Sequence, residues 1–165
     1  MCLFVLPILI LAMFLSFIST KKSPLFLQER IGKNKKKFVM YKIRTMTVTE
    51  SRGHFVAVKK DDDRVPYLCK FIRKLHLDEL PQFINVLKNE MSIVGPRPQS
   101  PRNFSAFSED VQKNIMLVSP GLTGLGSIFF SDEEEMLTSA INQDKFYDSV
   151  IMPYKGKLET WYVNN

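Results

Sequence analysis

The apolar positions of this chain fall into three patterns. From Met1 to Thr20 almost every residue is apolar and none is charged, so the run has no polar face. About 20 such residues match the thickness of a bilayer core, and a segment apolar on every side reads as a membrane helix. Pro7 interrupts the run, and Lys21 and Lys22 close it. Two geometries follow, a span or a helix that dips in, kinks at the proline and returns. The lysines hold what comes after them in the cytoplasm by the positive-inside rule. A secretory signal would need basic residues before the apolar run and a small-residue cleavage site after it, and neither is present.

The second pattern alternates. Leu25 to Gln28 and Phe38 to Ile43 predict two short strands, joined through Gly32-Lys33-Asn34-Lys35 as a hairpin. One face of the second strand carries Phe38, Met40, Lys42 and Arg44, the other Val39, Tyr41, Ile43 and Thr45. Lys42 and Arg44 thus emerge together, as a diphosphate-binding pair or as an ordinary solvated edge.

The third pattern steps by three and four. Leu77, Leu80, Ile84, Leu87 and Met91 predict one apolar stripe on a helix. Pro81 must lie in its first turn, where an amide hydrogen has no helical partner, so the helix starts near Asp78. Pro66 to Leu75 predicts a shorter helix before it. Pro101 to Met116 and Ser131 to Leu158 read as helical afterwards, and Phe146, Tyr147, Tyr154, Trp161 and Tyr162 are candidates for a membrane interface. The expected fold class is α/β, mainly helical, with a short β-hairpin and membrane association through the N-terminal hydrophobic helix. Residues 1–20 form the membrane element and 21–165 one cytoplasmic domain.

Composition narrows the partners. A formal charge of +6 favours anions. No nucleic-acid-binding motif accompanies it, so a membrane surface and a nucleoside diphosphate explain it better than nucleic acid. Cys2 and Cys69 suit neither a metal site nor a disulfide framework. Asp61, Asp62 and Asp63 lack the spacing and glycine of a calcium loop and read as a solvated loop before a helix.

Candidate chemistry gathers on the third pattern. Asp78 and Glu79 sit at a helix start, where the dipole favours their ionised forms, and Gly95-Pro96-Arg97-Pro98 ends the unit in a stiff turn bearing one guanidinium. On residue types alone the acids could be only a cap and the turn only a loop. As chemistry, they are an anionic nucleophile, a metal ligand and a phosphate clamp, the parts phosphoryl transfer requires. Ser119-Pro-Gly-Leu-Thr-Gly-Leu-Gly126 is a glycine-rich loop whose residue types favour a structural turn over a phosphate cradle.

Leu77-Asp78-Glu79-Leu80-Pro81-Gln82, then Asn85-Val86-Leu87-Lys88 and Met91-Ser92-Ile93-Val94-Gly95-Pro96-Arg97-Pro98, resemble the signature of the bacterial sugar transferases, small monotopic polyprenyl-phosphate phosphoglycosyl transferases. Gln28-Glu29-Arg30-Ile31-Gly32 and Tyr41-Lys42-Ile43-Arg44-Thr45-Met46 match a second signature, and Asp62 to Arg64 an Asp-x-Arg before the active-site helix. Ser119 replaces the arginine of the family's Arg-Pro-Gly-Ile/Leu-Thr-Gly. The resemblance covers about Pro7 to Val163 and implies a chain shortened at both ends, since the family's membrane element is a re-entrant helix kinked at a proline.

The resemblance implies transfer of sugar-1-phosphate from a UDP-sugar to polyprenyl (undecaprenyl) phosphate, releasing UMP, at the inner membrane of a bacterium. That is a first step in assembling capsule, lipopolysaccharide or exopolysaccharide. Asp78 is then the nucleophile, Glu79 the ligand of Mg2+ and Arg97 the phosphate clamp, with Lys42, Arg44 and Arg73 as secondary phosphate contacts. The expected partners are a UDP-sugar, polyprenyl phosphate and the lipid bilayer, and no nucleic acid. A catalytically inactive membrane scaffold of the same family is the alternative.

Overall fold

The computed structural model describes residues 2–47 and 62–165, and residues 48–61, most of the polar loop, lie outside them. Helix α1 (Cys2–Thr20) leads into strands β1 (Leu25–Ile31) and β2 (Lys37–Ile43). These pair antiparallel, from Leu25 opposite Ile43 to Ile31 opposite Lys37, so the predicted hairpin stands with a longer first strand. A 3-10 turn, Lys33–Lys35, joins them, with Asn34 in the left-handed region at φ 55°. Asparagine tolerates that conformation better than most residues.

Helix α2 (Tyr67–Lys74) follows Pro66. The chain then winds as a 3-10 helix from Leu77 to Gln82 and continues as α3 (Phe83–Leu87). Pro81 lies inside the 3-10 stretch and offers no N–H to an α ladder. Winding therefore begins near Asp78, but as a 3-10 helix capped by His76, with the α-helix starting only at Phe83, and the expected apolar stripe is not the buried face. Ile84 is exposed and Leu87 is 83% exposed, while Met91 lies beyond the helix end and packs with Phe38 and Met40. The inner face is polar instead: Asp78, Gln82 and Asn85, again at steps of four and three, are all buried. A 3-10 turn advances faster around its axis than an α turn, which shifts the face presented by the residues that follow.

Asn85 explains why a polar face turns inward. Its Oδ1 accepts from the Tyr41 N–H at 3.1 Å, and its Nδ2 donates to the Val39 carbonyl at 2.7 Å and to Glu90 Oε2 at 2.7 Å. The amide thus acts as a short strand partner along the free edge of β2. That contact sets the register of the 3-10 helix against the hairpin.

Beyond α3, strand β3 (Ser92–Val94) pairs parallel with β4 (Gly121–Thr123), Ser92 opposite Gly121 and Val94 opposite Thr123. Between them lie α4 (Pro101–Ala106) and α5 (Glu109–Ile115). Then come α6 (Leu125–Phe129), α7 (Glu133–Thr138) and α8 (Gln143–Phe146). A π turn at Tyr147–Ile151 leads into α9 (Met152–Asn164). The helix expected over Ser131 to Leu158 is thus broken, and two of its aromatics are not interfacial. Tyr147 is core, and Phe146 packs on it among Phe104, Phe107, Leu137, Ile151 and Met152. Tyr154 and Trp161 remain exposed.

The architecture is mixed α/β and mostly helical, with one short antiparallel hairpin. Among the described residues no helix is long and apolar enough to cross a membrane. Helix α1 lies against the hairpin and α2 through Ala12, Ile43 and Ile72. Its buried positions, Ala12, Ser16 and Thr20, are small and recur every fourth residue, while Leu6, Ile10, Leu11, Phe14, Phe17 and Ile18 face outward. The Ser16 hydroxyl donates to the Arg44 carbonyl and that of Thr20 to the Ser16 carbonyl.

Candidate active site

Three elements meet at Asp78. The 3-10 helix carries Asp78 and Glu79 in its first turn, β2 supplies Lys42, and the turn after β3 supplies Arg97. Lys42 Nζ lies 2.9 Å from Asp78 Oδ2 and 3.3 Å from Glu79 Oε1. Arg97 Nη2 lies 3.1 Å from the same Glu79 oxygen. Asp78 is only 3% exposed, and Lys42 is the cation in contact with it. Burial pushes the Glu79 carboxyl up, but the adjacent Arg97 and Lys42 charges outweigh it and hold the group at about 2. The site therefore holds two anions and two cations in one partly buried cluster. A diphosphate arriving there can exchange places with the carboxylates as the partner of Lys42 and Arg97.

The turn bearing Arg97 is fixed by close backbone packing. The Gly95 N–H donates to the Thr123 carbonyl and the Gly121 N–H to the Pro96 carbonyl, each at 2.9 Å. A Cβ on Gly121 would stand 2.2 Å from the Gly95 nitrogen, and one on Gly124 2.1 Å from the Gly95 oxygen. No side chain fits between segments this close. The glycine-rich loop is thus a clamp for the arginine turn, in line with its structural reading.

A carboxylate absent from the sequence reading supports the same turn. Glu159, on α9, accepts from the Arg97 backbone N–H at 3.3 Å, and Gly126 leaves room for it. Burial raises its pKa. Nothing in the spacing of residues 159 and 97 advertises this contact, since it depends on how α9 packs. Lys155, one turn earlier, pairs with Glu133 and stands over the Phe130 and Tyr147 rings.

Lys42, Asp78, Glu79 and Arg97 are brought together as expected. Arg44 and Arg73 are engaged elsewhere. Arg44 donates from Nε to the Ser23 carbonyl at 2.8 Å and stacks over Phe26, and Arg73 pairs with Glu134. Asp62 is buried, not solvated as the loop reading expected, because it grips Arg64 in a fork at 2.9 and 2.7 Å. Asp61 lies outside the described residues. Among the described residues, no three His, Cys, Asp or Glu side chains gather into a metal cage.

A hairpin, a carboxylate pair clasped by lysine and arginine, and an arginine turn clamped by glycines thus meet in one cluster. The chain belongs to the bacterial sugar transferase family, whose profile matches residues 1–165. It is 41% identical over 113 residues to a UDP-glucose:undecaprenyl-phosphate glucose-1-phosphate transferase of Klebsiella pneumoniae, a match covering 67% of this chain and 24% of that one. A UDP-N-acetylgalactosamine-undecaprenyl-phosphate N-acetylgalactosaminephosphotransferase of Aeromonas hydrophila is 40% identical over 107 residues, 63% of this chain and 25% of the relative. A UDP-glucose:undecaprenyl-phosphate glucose-1-phosphate transferase of Caulobacter vibrioides is 34% identical over 124 residues, 74% and 46% of the two chains. The chain thus spans between a quarter and a half of these relatives' lengths.

Proposed function

We propose that this chain transfers sugar-1-phosphate from a UDP-sugar to undecaprenyl phosphate and releases UMP. The observation that carries this reading is the pair Asp78 and Glu79 held by Lys42 and Arg97 at 2.9 to 3.3 Å in a member of this family. Asp78 attacks the phosphorus that bears the sugar. A bond forms from its carboxylate oxygen to that phosphorus, the bridging P–O bond breaks, and UMP departs with the electron pair. An oxygen of the lipid phosphate then attacks the same phosphorus, the Asp78–phosphorus bond breaks, and the carboxylate is regenerated.

Lys42 leaves Asp78 for the incoming phosphate, which bares the nucleophile only when substrate is present. Arg97 offers a fork that a lysine cannot imitate. Glu79 suits Mg2+, a hard cation that binds one or two carboxylates and completes its shell with phosphates and water, so a cage of three protein ligands is not required. When bound, the ion spreads the charge of the diphosphate.

Besides the outward apolar residues of α1, Phe71 on α2, Leu75 just after it, and Phe83, Ile84 and Leu87 on α3 are exposed. This surface supports a domain that rests on the cytoplasmic face of the inner membrane with residues 1–20 embedded. There the phosphate of a polyprenyl lipid reaches the site while its tail stays in the bilayer.

The test omits the lipid acceptor. With UDP-sugar and Mg2+ the enzyme should release up to one UMP per chain and gain a sugar-phosphate mass on the peptide containing Asp78. Asp78→Asn should abolish both while keeping the fold. Normal turnover with lipid but no burst and no adduct would replace the covalent route by direct transfer. No turnover with any of a panel of UDP-sugars would leave the inactive scaffold.

A further inference from the structure

Arg30 is a largely buried cation whose bonds all go to neutral acceptors. Its Nη1 donates to the Pro98 carbonyl at 3.1 Å and its Nη2 to Gln28 Oε1 at 2.6 Å. A guanidinium has five N–H donors, so most remain, and Nε is buried without an acceptor. Among the described residues no carboxylate forms an ion pair with it.

The fold brings this charge to Arg97. The Ile31 N–H donates to the Gln99 carbonyl at 2.9 Å, which pins the end of β1 to the chain two residues past Arg97. Cross-strand pairing sets Arg30 opposite Phe38 and Gln28 opposite Met40, and the period of two puts all four on the face that carries Lys42. Burial and the neighbouring Arg97 charge lower the Arg30 guanidinium to about 10. Holding two such groups together costs stability, which Glu79, paired with Arg97 and acting also on Arg30, offsets in part and a bound anion would offset further.

We propose that Arg30 and Arg97 form a phosphate subsite, with Arg30 contributing from the hairpin and Arg97 from the turn, that takes a second phosphate group of a nucleoside diphosphate. The assignment to a substrate rests on the transferase reading above, while the binding of phosphate does not. Glu79 draws Arg97 to the phosphate that reacts, and Arg30 extends the cationic surface to the next one. Arginine clusters serve this purpose because each fork meets two phosphate oxygens at once. The same chemistry could be met by the phosphate of the lipid acceptor, and the two sources are separable kinetically.

The test uses the full chain in detergent micelles or vesicles. Arg30→Gln keeps an amide donor for the Pro98 carbonyl but removes the charge. Pyrophosphate affinity measured by calorimetry should fall about tenfold, with the thermal midpoint of the free protein unchanged or higher. In steady state the KM for UDP-sugar should rise by about as much, while kcat and the KM for the lipid stay within about threefold. A rise confined to the lipid KM would overturn the assignment to the donor. Wild-type pyrophosphate affinity in Arg30→Gln would overturn the subsite and leave Arg30 as a brace for Pro98. If the wild-type chain binds pyrophosphate but transfers nothing, the transferase reading fails and the calorimetric comparison still decides the subsite. Should Arg30→Gln not fold, Arg30→Lys retains the charge without the fork, and a pyrophosphate affinity unchanged in that variant overturns the proposal as well.

Discussion

Two regions of this molecule bury different mixtures of side chains. Around α4, α5 and the π turn into α9, Phe104, Phe107, Ile115, Leu137, Ile151 and Met152 form an ordinary apolar core. Around α1, α2 and α3 the inward positions include Ser16, Thr20, Asp78, Gln82 and Asn85, while Phe14, Phe17, Phe71 and Leu87 face out. Burial of a polar group is tolerable only when its hydrogen bonds are met, and the Asn85 bridge to β2 and the Lys42 contact to Asp78 meet them. The difference teaches that one region rests on an apolar core, whereas the other combines a small apolar cluster of Ala12, Ile43 and Ile72 with buried polar contacts and leaves apolar side chains exposed.

The comparison is sharpest at positions where the two regions should respond differently. In the conventional core, Ile151→Ala should cost about 3 kcal/mol, transfer term plus cavity, read as a lowered urea midpoint in detergent. In the other region the equivalent loss comes from a polar residue. Asn85→Leu leaves the Tyr41 N–H and Val39 carbonyl without their partner, costs about 2 kcal/mol and displaces Asp78 from Lys42, so turnover falls with stability. If Asn85→Leu proves as stable as wild type, polar contacts do not organise this region.

Acid should act through the same region. The Glu79 carboxyl is held below its ordinary 4.5, at about 2. A depressed carboxyl stabilises the fold fully above its unfolded value and loses that contribution as pH falls from about 4.5 towards about 2. Wild type minus Glu79→Gln, measured by thermal midpoint, should shrink across that window. The gain is moderate because the Arg97 side chain is 44% exposed and water screens it. The smallest change in stability belongs to the apolar surface. Leu87→Ser should alter detergent stability by less than about 0.5 kcal/mol, yet weaken binding to anionic vesicles, the more so with Phe71→Ser. Unchanged vesicle binding in that double variant would separate this face from the membrane.

Much of the site was legible because it is local. Asp78, Glu79 and Pro81 lie within one turn, and Lys42 was placed on its strand face by a period of two. Arg97 was marked by a turn whose prolines and glycine leave few conformations. Arg44 shared that strand face with Lys42, but strand periodicity does not reveal that a guanidinium will turn back to Ser23 and Phe26. Glu159 lay 62 residues from its contact, with no periodic signal connecting the two.

Sequence alone determined the hairpin, the apolar character of residues 2–20, the onset of winding near Asp78 and the residue types available for phosphate, because each depends on neighbours a few positions apart. Tertiary structure decided orientation. The segment from Leu77 to Leu87 carries an apolar stripe and a polar stripe with the same spacing, and either could have faced the interior. The polar one did, and there the Asn85 amide meets both the N–H and the carbonyl that the free edge of β2 presents. That choice turned Asp78 toward Lys42 and left Leu87 outside.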